Sequence, residues 1–166
     1  MQIQIRAATS ADMDAIQRIY AYGDAVHLAA LSEFFRKVDQ PARPISYLQE
    51  HLDRDDAAIF LAIDDAGDAV GLLHLYHRAV PDLPMLVPRR YAMIEGLVVL
   101  PEAQRQGVGS ALLRHAERWA LSRGIDQVEL AVWEFNAGAR QFYESQNYGT
   151  IRRTMWKPLN SSEVGP

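Results

Sequence analysis

Residues 94–113 read Ile94-Glu95-Gly96-Leu97-Val98-Val99-Leu100-Pro101-Glu102-Ala103-Gln104-Arg105-Gln106-Gly107-Val108-Gly109-Ser110-Ala111-Leu112-Leu113. An apolar run closed by a proline leads into a glycine-bearing turn and then into an amphipathic pattern. The run predicts a strand over Arg90–Leu100, and Val108, Leu112, Ala116 and Trp119 form one stripe of a helix from Gly107 to Ser122, stopped by Gly124. A helix start bares amide donors and a partial positive charge, so it holds phosphate where no side chain blocks the approach. Gly107 and Gly109 remove those side chains, and Arg105 can add a fixed positive charge. On the residues alone, the segment fits a nucleotide phosphate or a plain tight turn. A dinucleotide fold asks for a small residue where Leu112 stands and for a turn tight against its strand, whereas Pro101 to Gln106 intervene. The lysine of an ATP-binding P-loop is also missing, so both familiar nucleotide folds are disfavoured.

Working outward, Gln2–Arg6 alternates as a strand, and Thr9-Ser10-Ala11-Asp12 opens a helix carrying Met13, Ile16, Ile19 and Tyr20. Between Tyr22 and Asp56 the signal is mixed. Phe34, Phe35 and Val38 suggest helix, Pro41 and Pro44 break it, and Tyr47, Leu48 and Leu52 suggest a further turn or two. Ala58–Ile63 and Ala69–His77 flank Asp64-Asp65-Ala66-Gly67 as a β-hairpin. Downstream come a strand over Asp126–Val132, a helix from Asn136 to about Gln146 and a last strand over Tyr148–Lys157. The fold class is mixed α/β, one layer of sheet with helices packed on its faces.

The chain has 166 residues, 49% of them apolar and 23% charged, which predicts one domain over residues 1–159 and a flexible tail at 160–166. No stretch approaches the roughly 18 apolar residues of a membrane span, and no secretory signal opens the sequence. A cytoplasmic protein is expected. The absence of cysteine excludes disulfides and any acyl intermediate on an enzyme sulfur. The net charge of -4 argues against a nucleic-acid partner. His74 and His77 lie three apart on a strand, which sends them to opposite faces, and His27, His51 and His115 are scattered, so no metal is expected.

Ile94 to Pro101, the turn Gln104 to Gly109 and Ser110 to Leu113 resemble the GCN5-related N-acetyltransferase (GNAT) superfamily, as does Asn136-Ala137-Gly138-Ala139-Arg140-Gln141-Phe142-Tyr143 downstream. Asn147-Tyr148 stands where the family pattern continues Gly-Phe, and Asn tolerates the left-handed backbone best after Gly. The resemblance implies a GNAT-like twisted sheet of about six to seven strands, splayed between the fourth and fifth, with acetyl coenzyme A in the cleft. It places pyrophosphate on Gln104, Arg105, Gln106, Gly107, Val108, Gly109 and Ser110, and the pantetheine arm on the backbone of Leu97, Val98 and Val99.

Acetyl transfer to an amine needs a base. An ammonium of pKa about 10.4 costs about 4 to 5 kcal/mol to deprotonate at pH 7. The resemblance makes Glu95 that base, through water, and Tyr143 the acid for the departing thiolate. Asn136 becomes a coenzyme contact. Each residue also has a plain structural reading: Glu95 an exposed or ion-paired strand residue, Tyr143 a core aromatic and Asn136 a helix cap. With no cysteine, the acetyl group is expected to pass directly in a ternary complex.

The acceptor is expected to be a small-molecule amine, its walls drawn from Tyr20–Leu52 and Ala79–Arg90, with His27, Glu33, Phe34 and Tyr47 as candidates. The acidic Asp53, Asp55 and Asp56 could attract a cation. Other readings are a coenzyme-sensing module without turnover, or a homodimer or other interaction protein using Trp156 and the last strand; Trp119 reads as core or interface.

Overall fold

The first helix starts where its cap predicts. The Asp12 carboxylate accepts the Thr9 N–H at 2.8 Å and its hydroxyl at 3.0 Å, and pairs with Arg6 at 2.7 Å. That guanidinium holds the Asp12 carboxyl well below the usual carboxylate range. The computed structural model describes residues 2–159. Its elements run β1 (Gln4–Ala7), α1 (Met13–Ala30), α2 (Ile45–Leu52), β2 (Ala57–Ile63), β3 (Ala69–Ala79), β4 (Arg90–Val99), α3 (Val108–Leu121), β5 (Val128–Leu130) and α4 (Ala137–Ser145). Short 3-10 turns precede α1 and follow β4.

The strands lie in the order β1-β2-β3-β4-β5, antiparallel through β4 and parallel between β4 and β5. Helices cover both faces of this mixed sheet. Met13, Ile16, Ile19 and Tyr20 of α1 and Leu48 of α2 join Ile59, Leu61 and Leu72 in one buried cluster. The next residue along β3 faces the other way: a Cβ built on Gly71 would sit 3.4 Å from Leu112 of α3. β3 is therefore buried on both faces, and each of its fully buried leucines contributes roughly 1.5–3 kcal/mol.

Several expectations are corrected. The sheet has five strands, not six or seven. β5 keeps three residues of the seven predicted, and Tyr148–Lys157 forms no strand. Alternation makes a strand only where an edge supplies hydrogen bonds; the backbone here is irregular, and Ile151 and Met155 are exposed. Phe34 to Val38 forms no helix; α1 instead continues to Ala30, and the chain to Pro44 is turns and irregular backbone. Trp119 is half-buried beneath the Arg123 guanidinium. Residues 160–166 lie outside the described residues.

The chain forms two compact units, Met1–Ala131 with the sheet and α1 to α3, and Val132–Pro166 with α4. Among the described residues no helix is long and apolar enough to cross a membrane.

Candidate active site

The register of β4 carries one extra residue. His74 faces Gly96 and Leu75 faces Ile94, so Glu95 is the bulged residue, two opposite one. Its consequence is visible in the hydrogen bonds. Ala92 gives its N–H to Gln127 O on the β5 side, while Leu100, eight residues on, gives its N–H to Val70 O next to β3, both at 2.9 Å. Residues an even number apart on a regular strand face the same side, so the bulge has shifted the phase by one. Leu97 and Val99 thus turn their main-chain groups away from β3. Pairing with β5 ends at Ile94, so this is the splayed side of the sheet, as the family resemblance implies.

The Gln104 side chain donates to Val99 O at 2.9 Å and to the Tyr22 hydroxyl at 3.3 Å, tying the following loop to the end of β4. Gln106 donates to Glu102 O at 2.7 Å. Both glutamines are therefore engaged within the unit. Arg105 is exposed at φ +58° and Gly107 at φ +81°, a region that favours glycine. A Cβ on Gly107 would meet nothing within 4 Å. Among the described residues, the N–H groups of Arg105 through Ser110 have no acceptor. Unengaged donors at the start of α3 fit an anion.

Glu95 is exposed, and Tyr47 donates its hydroxyl to Oε1 at 3.1 Å. Burial and this carboxylate push the Tyr47 phenol up to about 12, and the same two causes raise Tyr76, so both remain donors at neutral pH. Behind them Tyr20 reaches His74 Nδ1 at 2.9 Å, under the Arg43 guanidinium 3.8 Å from its ring. Arg43 is itself paired with Asp24. Gly96 lets the Tyr20 ring close onto β4, since a Cβ there would stand 3.2 Å from Cε1. His74 is fully buried, with the His51 ring 4.8 Å away and Nε2 without a partner among the described residues. Burial, then the charges of His51, Arg43 and Arg54, lowers His74 to about 3, so it is neutral.

Of the sequence candidates, the fold brings Tyr47 to Glu95. His27 instead bonds Gly23 O, Glu33 and Phe34 are exposed, and Asp56 is paired with Arg54. Tyr20 and His51 fall within the expected range Tyr20–Leu52 without being singled out, and His74 and Tyr76 around the bulge lie outside both expected ranges. Alternation along β3 puts His74 and Tyr76 on one face, but only tertiary packing shows that α1 and α2 meet it there.

In the second unit, Asn136 caps α4 by accepting the Ala139 N–H at 3.0 Å. Tyr143 is half-buried, its ring 5.3 Å from Phe142 and 5.8 Å from Tyr148, and burial raises it to about 12. Asn147 takes φ +66°, the left-handed backbone that its place in the motif demands.

The sequence profile of the acetyltransferase (GNAT) family matches residues 26–148. Over 129 residues, 75% of this chain and 83% of the relative, the chain is 27% identical to an uncharacterized N-acetyltransferase, YhfO, of Bacillus subtilis (strain 168). Over 71 residues, 43% of this chain and 45% of the relative, it is 41% identical to an aminoglycoside N(6')-acetyltransferase type 1 of Klebsiella aerogenes. A mutant BH1408 protein from Bacillus halodurans shares the fold with a TM-score of 0.90 at 23% identity, over 95% of this chain and 99% of that one.

His74 makes stability depend on pH. Below the ordinary histidine value of 6.5 the unfolded chain binds a proton that the native one refuses down to about 3, so stability is full above 6.5 and falls as the pH drops. Urea unfolding should show a loss of about 2 kcal/mol between pH 7 and pH 5. His74→Phe should flatten most of that slope; His115, also lowered by burial, retains the remainder. Asp12 contributes only at lower pH, below the ordinary carboxylate value of 3.8. An unchanged slope in the variant removes the assignment.

Proposed function

The chain belongs to the acetyltransferase (GNAT) family and is an acyltransferase, and on that premise we propose that it is a cytoplasmic enzyme moving acetyl from acetyl coenzyme A to a small-molecule amine. Residues 1–159 act as one acyltransferase domain in this reading. One observation carries it: β4 turns the main-chain groups of Leu97 and Val99 away from β3 beyond Ile94, and the next loop leaves the amides of Arg105 to Ser110 unengaged.

Acetyl coenzyme A supplies an activated acyl thioester. Leu97, Val98 and Val99 offer strand-like backbone to its pantetheine arm, and the amides of residues 105–110, with Arg105, hold its phosphates. Gln104 and Gln106 act by shaping that loop. Asn136 contributes a contact beside its capping role. Glu95 removes the amine's proton through water, its carboxylate held by the Tyr47 hydroxyl.

Tyr143 serves the leaving sulfur. A phenol at about 12 is protonated at neutral pH, yet handing its proton fully to a thiolate of pKa about 8.5 costs about 5 kcal/mol. It therefore assists chiefly as a hydrogen-bond donor to the developing charge. The acetyl group passes directly to the amine, because the chain has no cysteine to carry it.

A thiol-release assay with acetyl coenzyme A against a broad amine set tests the activity. Gly107→Glu, which puts a carboxylate among the amides, should weaken coenzyme A binding at least about 100-fold by calorimetry. Unchanged affinity in a folded variant removes the phosphate site. Tyr143→Phe should lower kcat about tenfold while sparing the KM for acetyl coenzyme A; equal turnover across pH removes its role. The exposed Ile151, Met155 and Leu159 support a homodimer. Light scattering at micromolar concentration should give twice the chain mass, and a monomer mass rejects that assembly.

A further inference from the structure

Strand β3 lines up His74, Tyr76 and Arg78 on one face, running from the buried core to the exposed end. Among the described residues, the other arginines near these rings have acidic partners. Arg43 pairs with Asp24, and Arg54 makes two hydrogen bonds to Asp56 at 2.8 and 3.0 Å. Arg78 rests 5.9 Å from the Tyr76 ring centroid, and among the described residues no carboxylate lies within ion-pair distance of it. Glu95 is its counterpart: it takes the Tyr47 hydroxyl and has no cation within that distance. Tyr76 lies between the two charges, raised by Glu95 and lowered by Arg78.

From a carboxylate beside Tyr76 to a guanidinium two residues along the strand is on the order of 7–10 Å. At that separation in water the two attract each other only weakly, so each stays free for a ligand. On the premise of acetyl transfer argued above, we propose that the acceptor is an amino carboxylate, its ammonium end at Glu95 and its acid end on Arg78 across the Tyr76 ring. A polycationic amine is disfavoured here, because Arg43, Arg54 and Arg78 crowd the same rings. A straight-chain acid of about six carbons matches the span, and a guanidinium–carboxylate contact is enough for roughly 10- to 100-fold in affinity.

The test compares 6-aminohexanoate, hexylamine and 1,6-diaminohexane in the thiol-release assay, with the unaltered protein and with Arg78→Gln, a surface change that spares the core. The amino acid should exceed both other amines at least tenfold in kcat/KM. Arg78→Gln should erase that advantage through the KM of the amino acid alone, leaving hexylamine turnover and the KM for acetyl coenzyme A unchanged. Equal or reversed preference, or an unresponsive variant, overturns the proposal. Should none of the three amines react, calorimetry of 6-aminohexanoate with the coenzyme A-loaded protein decides. Binding that Arg78→Gln weakens at least tenfold supports the proposal, and absent or unaffected binding rejects it. Failure to bind coenzyme A at all is a distinct result, which rejects acetyl transfer itself.

Discussion

One extra residue in β4 governs this molecule. Glu95 has no opposite number on β3, and its insertion reverses which main-chain groups point out of the sheet on either side of it. Up to Ile94 they serve β5; from Leu97 they face away from both β3 and the end of β5. A regular strand would have offered Gly96 and Val98 at that edge in place of Leu97 and Val99. The side chain at the bulge is the carboxylate that the proposed chemistry needs, so one distortion both sets which groups meet the edge and presents the base.

The surroundings of Glu95 explain how a carboxylate can stand amid arginines and stay available. Arg43, Arg54 and Arg89 are each held by an acid of their own, whereas Glu95 meets a neutral phenol. Ion pairing with a fixed guanidinium would weaken a base, while a hydroxyl orients it and leaves it able to take a proton. Tyr20 and His74 form the floor beneath, buried and neutral, with Gly96 giving the ring its room. That floor costs stability in acid.

The glycine loop achieves the opposite effect with similar economy of means. Its glutamine side chains turn back onto Val99 and Glu102, which fixes the backbone while leaving the amides of residues 105–110 unused. The left-handed turn at Gly107 has open space where a side chain would be, so size and charge there bear on an incoming anion rather than on the core.

Much was legible in the sequence. The glycine turn after an apolar strand, the cap at Thr9 and Asp12 and the hairpin around Gly67 follow from local chemistry, because each depends on backbone geometry that neighbouring residues dictate, whereas the splay and the left-handed Asn147 were implied by the family resemblance. The assembly of the proposed acceptor face was not legible, although Tyr47 and Glu95 were singled out. Tyr20, Tyr47, Tyr76 and Glu95 are far apart along the chain, and their meeting requires α1 and α2 to dock on the face that β3 and the bulge present. The missing last strand has the same cause. Alternation in Tyr148–Lys157 states a preference, but strand formation depends on a hydrogen-bonding edge elsewhere in the fold, and only the packed structure decides whether that edge exists.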